Sequence, residues 1–240
     1  METRGSAAGR SMARAARAVW AYVRRAPGTF VWLAILFVTT LIIRHVAPAA
    51  ADRILERRST NIHYLEKSPV RVLITSALWI SGSGWFSYLV LYNIFHVPAE
   101  RWLGTLRWLC VAAIAHVGAT YISEGVLYWS IQHGYAPEQA RYTLDYGVSY
   151  ALAGVEAVLT YRIAKPWRYV YAAGVVLFYG LDLIRSRDFT SVGHFSAALI
   201  GFACYPLTRG RGEPWDPAEA LRAGRRTFSK WPHRQAAGRQ

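Results

Sequence analysis

The sequence predicts an all-α, polytopic membrane protein built as a six-helix bundle, and three observations lead there. The chain of 240 residues is 53% hydrophobic and carries 10 Trp and 15 Tyr, more than a soluble core of this size requires. Its apolar residues gather into six runs that meet or approach the roughly 20 residues a helix needs to cross a bilayer. Its net charge of +14 lies between and beyond those runs. That placement suits membrane topology better than nucleic-acid binding, so no nucleic-acid partner is expected.

Residues 1–27 form a basic segment expected in the cytosol. Arg14, Arg17, Arg24 and Arg25 stand there among Ala, Val, Trp20 and Tyr22. Two readings stand open: an amphipathic helix on the anionic inner leaflet, or a disordered charged tail. The membrane domain follows over 28–207, with spans at about 28–46, 72–97, 106–131, 144–163, 167–184 and 190–207. The first run begins too late, and lacks the small-residue cleavage site, to be a removable signal peptide. The face of the first span that carries Leu36 is read as lipid-facing. Pro98, Pro137, Pro166 and Pro206 fall at or between span ends, where a helix should stop. Residues 208–240 form a second basic cytosolic segment, polar, punctuated by Gly and Pro, and expected to be only partly ordered. Cys110 and Cys204 lie within apolar runs and offer neither a disulfide framework nor zinc spacing.

The basic residues orient the bundle. With the N-terminus inside, segments 1–27, 98–107, 162–168 and 208–240 hold six, two, three and eight Lys and Arg, nineteen of the 28. The positive-inside rule then places both termini in the cytoplasm of a plasma-membrane protein. The first outer loop, 44–71, is the exception. Its charges are mixed in sign, and it is long enough to hold structure of its own.

An ionisable or nucleophilic side chain inside a span is costly and marks a candidate site. The candidates are His116 and Glu124 in span three, Asp145, Ser149 and Glu156 in span four, Asp182 in span five and His194 in span six. Spans four and six both run inward, so Ser149 and His194 fall at similar depth near the outer surface. Small residues accompany them: Gly154 follows Ser149, and Ala197 and Gly201 follow His194 at i+3 and i+7. That spacing lets two helices approach closely. A Ser–His pair within hydrogen-bond reach is the minimum for an activated hydroxyl nucleophile. The bland reading is that both residues pack and hydrogen-bond within a helix bundle. Glu156 is expected to meet an inner-side Arg and Asp182 to sit at the outer rim.

Asp145-Tyr146-Gly147-Val148-Ser149-Tyr150 resembles the Gly-x-Ser turn of rhomboid intramembrane serine proteases. Gly193-His194 with Ala197 and Gly201 resembles the family's last core helix. Glu100-Arg101-Trp102-Leu103-Gly104, followed by Arg107, resembles the Glu-x-x-x-Gly turn after its second helix. The three matches stand in the family's order across about residues 28–207, and the chain looks most like the divergent rhomboid-like proteins of high-GC Gram-positive bacteria.

The resemblance implies a rhomboid-like bundle in which Ser149 is nucleophile and His194 general base, then acid. It implies hydrolysis of a membrane-embedded protein substrate without metal or organic cofactor. Three positions depart from the pattern. Tyr150 stands where the family usually has Gly after the nucleophile, and Gly84 and Tyr88 stand where it carries the His and Asn of the oxyanion hole. Backbone N–H groups near Ser149 and Gly147, or His116 and Thr120 one turn apart, are the candidate replacements. Asp145 is expected to cap the Ser149 helix. The rival reading is a pseudoprotease that binds transmembrane clients without cutting them. A zinc reading of His116, Glu124, Asp145 and His194 lacks a paired-His motif; the plainer reading is a buried polar network.

Overall fold

The computed structural model describes residues 3–80 and 84–222, all of whose regular elements are helical apart from one isolated bridge between Ile163 and Trp215. Helix α1 (Thr3–Val23) is followed by α2 (Pro27–His45), α3 (Pro48–Arg58), α4 (Ile62–Lys67) and α5 (Pro69–Ser76). Then come α6 (Trp85–Leu91), α7 (Val97–Leu103), α8 (Thr105–Gln132), α9 (Val148–Val158), α10 (Trp167–Ser186) and α11 (Phe189–Ala203). Of these, α2 and α8 are each long and apolar enough to cross a membrane by length and composition. The basic segment at the start of the chain is helical; much of the second one, residues 223–240, lies outside the described residues.

Helix α9 is the hub. Val148 and every residue from Tyr150 to Val158 are buried, because α9 packs on one side against α8 and on another against α11. From α8 it meets a stripe at helical spacing: Trp108, Val111, Ala112, Ala115 and Ala119. The closest approach is to α11. A Cβ built on Gly201 would collide with the backbone of Gly154, and one on Gly154 with the Cβ of Ala115. Small residues at 154, 197 and 201 let the helices approach this closely.

Several elements differ from the sequence-based expectation. The second span does not run from 72 to 97. Helix α5 ends at Ser76, and the helix begins again at Trp85. It then continues through Pro98 to Leu103 by widening into a π-turn at Tyr92–His96. Proline at 98 has no N–H to give, and its ring crowds the preceding turn; the wider turn relieves both without ending the helix. The fourth span is also shorter than 144–163, since the helix proper covers only Val148–Val158 before a 3₁₀ turn. Leu36 is fully buried in the core beside Trp32 and Trp108; the open face of α2 is the one bearing Val31 and Val38. The first outer loop folds into α3, α4 and the start of α5.

Glu100 holds the start of α2. Its carboxylate accepts the N–H groups of Gly28 (2.9 Å) and Thr29 (2.7 Å) and the hydroxyls of Thr29 and Thr105 (both 2.7 Å). The first N–H groups of a helix lack intrahelical acceptors, and the helix dipole favours a negative charge there. The motif closes with Gly104, whose N–H bonds Glu100 O at 2.7 Å and whose φ of 78° suits glycine. Glu100→Leu keeps the bulk and removes every acceptor, leaving buried donors unmatched. It should cost about 4 kcal/mol, read as a lowered melting temperature in detergent, with Glu100→Gln intermediate. A Glu100→Leu protein that melts with the wild type would show that α2 does not depend on this cap.

Candidate active site

Ser149 is the second residue of α9, and the loop that delivers it is fixed from outside the helix. Ser59 Oγ accepts the Asp145 N–H at 2.7 Å, while Thr60 donates its N–H to Asp145 O at 3.0 Å. Ser59, Thr60 and Asn61 are all fully buried. Thus the segment between α3 and α4 clamps the approach to the candidate nucleophile. Gly147 ends that approach against His116, whose ring occupies the space a Cβ would need.

His194 comes from α11. Asp188 caps that helix by accepting the Ser191 N–H at 2.7 Å, which starts the helix in the register that places His194 beside α9. The imidazole stands edge-on to Tyr150, centroids 5.1 Å apart, and tilted against Tyr179 at 6.1 Å. Tyr150 can enter this position because residue 193 is glycine: a Cβ there would lie 2.5 Å from the phenol oxygen.

Ser149 and His194 line one cavity of 460 Å³ between α6, α9, α10 and α11. They are not hydrogen-bonded to each other. The Ser149 hydroxyl donates to Tyr146 O at 3.4 Å. From α6, the Tyr88 phenol faces Ser149, so one of the three positions that depart from the family pattern borders the candidate nucleophile with an O–H group. Among the described residues, a Cβ on Gly84 would meet only the Tyr88 ring, at 4.0 Å. At the first turn of α9, the N–H groups of Val148, Ser149 and Tyr150 have no intrahelical acceptor and take no other acceptor among the described residues.

The remaining candidates divide. Tyr150 turns inward and donates to Asp145 Oδ1 at 3.0 Å, with Ser123 Oγ 3.4 Å away. Glu124 lies near Asp145, buried, with neither oxygen hydrogen-bonded. His116 donates from Nε2 to Leu73 O at 2.8 Å, and Thr120 lies 3.5 Å from its Nδ1. His116 lines a different, apolar cavity between α2, α5 and α8. Ser149 and His194 therefore share one space; behind it His116, Thr120, Ser123, Tyr150 and Asp145 are joined by hydrogen bonds, with Glu124 buried beside them and unbonded. No group of three or more His, Cys, Asp or Glu among the described residues has the arrangement to hold a metal ion.

Two expectations need correction. Asp145 does not cap α9; Gly147 is the N-cap and no side chain bonds there, because the Asp145 carboxylate is engaged by Tyr150. Glu156 does not meet an arginine. Its carboxylate accepts the Tyr179 hydroxyl, and its backbone oxygen accepts the Tyr171 hydroxyl at 3.0 Å. Asp182 is exposed but borders the Ser149 cavity.

A family described as rhomboid-like protein matches residues 21–214, a stretch that holds every residue of this site. The chain belongs to the rhomboid-like family. No match was found among curated proteins or among solved structures. Its family and its apolar helices make it a rhomboid-like membrane protein. The glutamate cap of α2, the Gly-Val-Ser entry to α9 and the glycine before His194 are thus features of a rhomboid-like chain, each with a packing or hydrogen-bonding cause.

Proposed function

We propose that this rhomboid-like protein is an intramembrane serine protease whose dyad is Ser149 and His194. The observation that carries the reading is their common cavity, reached from the N-terminal turn of α9 and the second turn of α11. In the reaction, the Ser149 hydroxyl leaves Tyr146 O and attacks a substrate carbonyl carbon, while His194 takes its proton. The oxyanion forms at the first turn of α9, where unpaired N–H groups and the helix dipole favour negative charge, with the Tyr88 O–H beside it. His194 then returns the proton to the leaving amine, and the peptide C–N bond breaks. Water hydrolyses the acyl-enzyme by the same proton path in reverse. Tyr150 and Tyr179 hold the imidazole through this cycle.

The second reading, a pseudoprotease that binds transmembrane clients, has its own observation: Ser149 is bonded back to Tyr146 and makes no hydrogen bond to His194. Labelling of Ser149 by a fluorophosphonate or isocoumarin probe separates the two, because only an activated serine reacts. No labelling across a range of lipid conditions would favour the binder.

The reading also fixes an orientation: a multi-pass plasma-membrane protein with both termini in the cytoplasm and the cavity opening near the outer surface. The distribution of Lys and Arg supports it. Reporters fused before residue 28 and after residue 207 should both read as cytoplasmic, and one within 50–66 as external. An external signal from the C-terminal fusion would overturn the shared depth of Ser149 and His194.

A further inference from the structure

One face of α9 lines more than the Ser149 cavity. Ser149, Leu152, Glu156 and, in the following 3₁₀ turn, Leu159 recur at helical spacing and border three cavities of 460, 390 and 440 Å³. The first two share Leu91, Glu156, Phe178 and Tyr179; the second and third share Phe95 and Tyr171. They make one continuous groove between α6 with its π-turn and α10. Its middle stretch is apolar except at one place. There Glu156, 9% exposed, presents a carboxylate with one oxygen bonded to Tyr179 and the other without a protein partner among the described residues. The Tyr171 hydroxyl on the same residue's backbone oxygen fixes that turn of the helix.

A carboxylate in an apolar groove is costly unless a donor meets it. An acyl chain filling the groove would leave it unmatched, and a lipid phosphate would be repelled. We propose that Glu156 is a specificity-determining residue that pairs with a hydrogen-bond-donating or cationic side chain of the transmembrane segment lying in the groove. This deepens the protease reading by naming what selects the segment, and it rests on that reading only for the fate of the segment. Seven residues separate Ser149 from Glu156, about 10 Å along the helix axis. The donor therefore lies about seven residues from the bond at Ser149 if the segment stays helical, or about three if it unwinds.

The test uses the full chain carrying Ser149→Ala in lipid nanodiscs. The probes are synthetic Leu/Ala transmembrane peptides that differ at one position, occupied by Lys, Asn, Leu or Asp and scanned along the peptide. The Lys and Asn peptides should bind about tenfold tighter than the Leu peptide at one position of the scan, and the Asp peptide more weakly. Glu156→Leu should erase the ranking, and Glu156→Gln, of the same shape, should keep the Asn preference while losing that for Lys. A flat ranking in the Ser149→Ala protein, no binding of any peptide, or a ranking unchanged by Glu156→Gln overturns the proposal. The serine-protease reading fails separately. Peptides that bind with this ranking but are never cut by the wild type refute proteolysis alone, and cleavage indifferent to Glu156 refutes the recognition alone.

Discussion

Ser149→Ala and His194→Ala should each abolish fluorophosphonate labelling and lower cleavage of a membrane-embedded reporter by on the order of 10⁴-fold or more. The double variant should be no worse than either single one, because the two groups act on one proton and one bond. The structure sharpens the expectation for stability. Among the described residues the Ser149 hydroxyl donates to Tyr146 O at 3.4 Å and faces the Tyr88 phenol, and His194 is held by two aromatic rings and no hydrogen bond. Ser149→Ala should therefore leave the melting temperature nearly unchanged while activity disappears. Asp145→Asn is the discriminating third change. Asn can still accept from Tyr150 through Oδ1, and the backbone oxygen of residue 145 still accepts from Thr60, so substantial activity should remain if the dyad does the chemistry. A metal-dependent reaction would instead fail with Asp145→Asn or with a chelator. Turnover that survives Ser149→Ala and disappears under either of those treatments would refute the dyad.

The parts of this molecule legible in the sequence are those with a local cause. Helices α2 and α8 were expected at 28–46 and 106–131 and occur at Pro27–His45 and Thr105–Gln132, because long apolar runs need no partner to be recognised. The small-residue spacing of Gly154, Ala197 and Gly201 could be read from the sequence alone. The break in the second span was also legible: Gly-x-Gly with serines is a breaker signal that the apolar run around it outweighed. Other features depend on distant residues. Glu100 could be placed in a turn, but its target is the N-terminus of a helix 71 and 72 residues earlier. The Ser59-Thr60-Asn61 clamp, which has no motif, meets Asp145 from 85 residues away. Glu156 was assigned an arginine because charge seeks charge within a span; Tyr179 on α10 meets one of its carboxylate oxygens instead, and only the packing of α10 on α9 reveals it. Tyr88 read as the loss of an oxyanion residue, whereas its place beside Ser149 depends on how α6 leans on α9.

The second large effect concerns the contact that holds the two halves of the site in place. A Cβ on Gly201 meets the carbonyl oxygen of Gly154, its Cα at 2.8 Å and the Cβ of Ala157 at 2.9 Å. Two of those three atoms are backbone inside a helix that is buried on all sides, so no side chain can rotate away to make room. Gly201→Leu should therefore force α9 and α11 apart and cost about 3 kcal/mol or more, the upper range for over-packing. Gly201→Ala should cost less but still be measurable, since one methyl already overlaps the backbone. Leu199→Ala on the same helix, at a position 48% exposed, is the control and should lie within about 0.5 kcal/mol of wild type. The measurement is thermal unfolding in detergent, followed by reporter cleavage well below each midpoint. Activity should fall further than stability explains, because Ser149 lies five residues before Gly154 and His194 seven before Gly201, so a wedge at the crossing displaces both ends of the dyad. A Gly201→Leu protein that melts with the Leu199→Ala control would mean that α9 and α11 do not meet at this crossing. A Gly201→Ala protein with full activity would mean that the dyad does not depend on their separation.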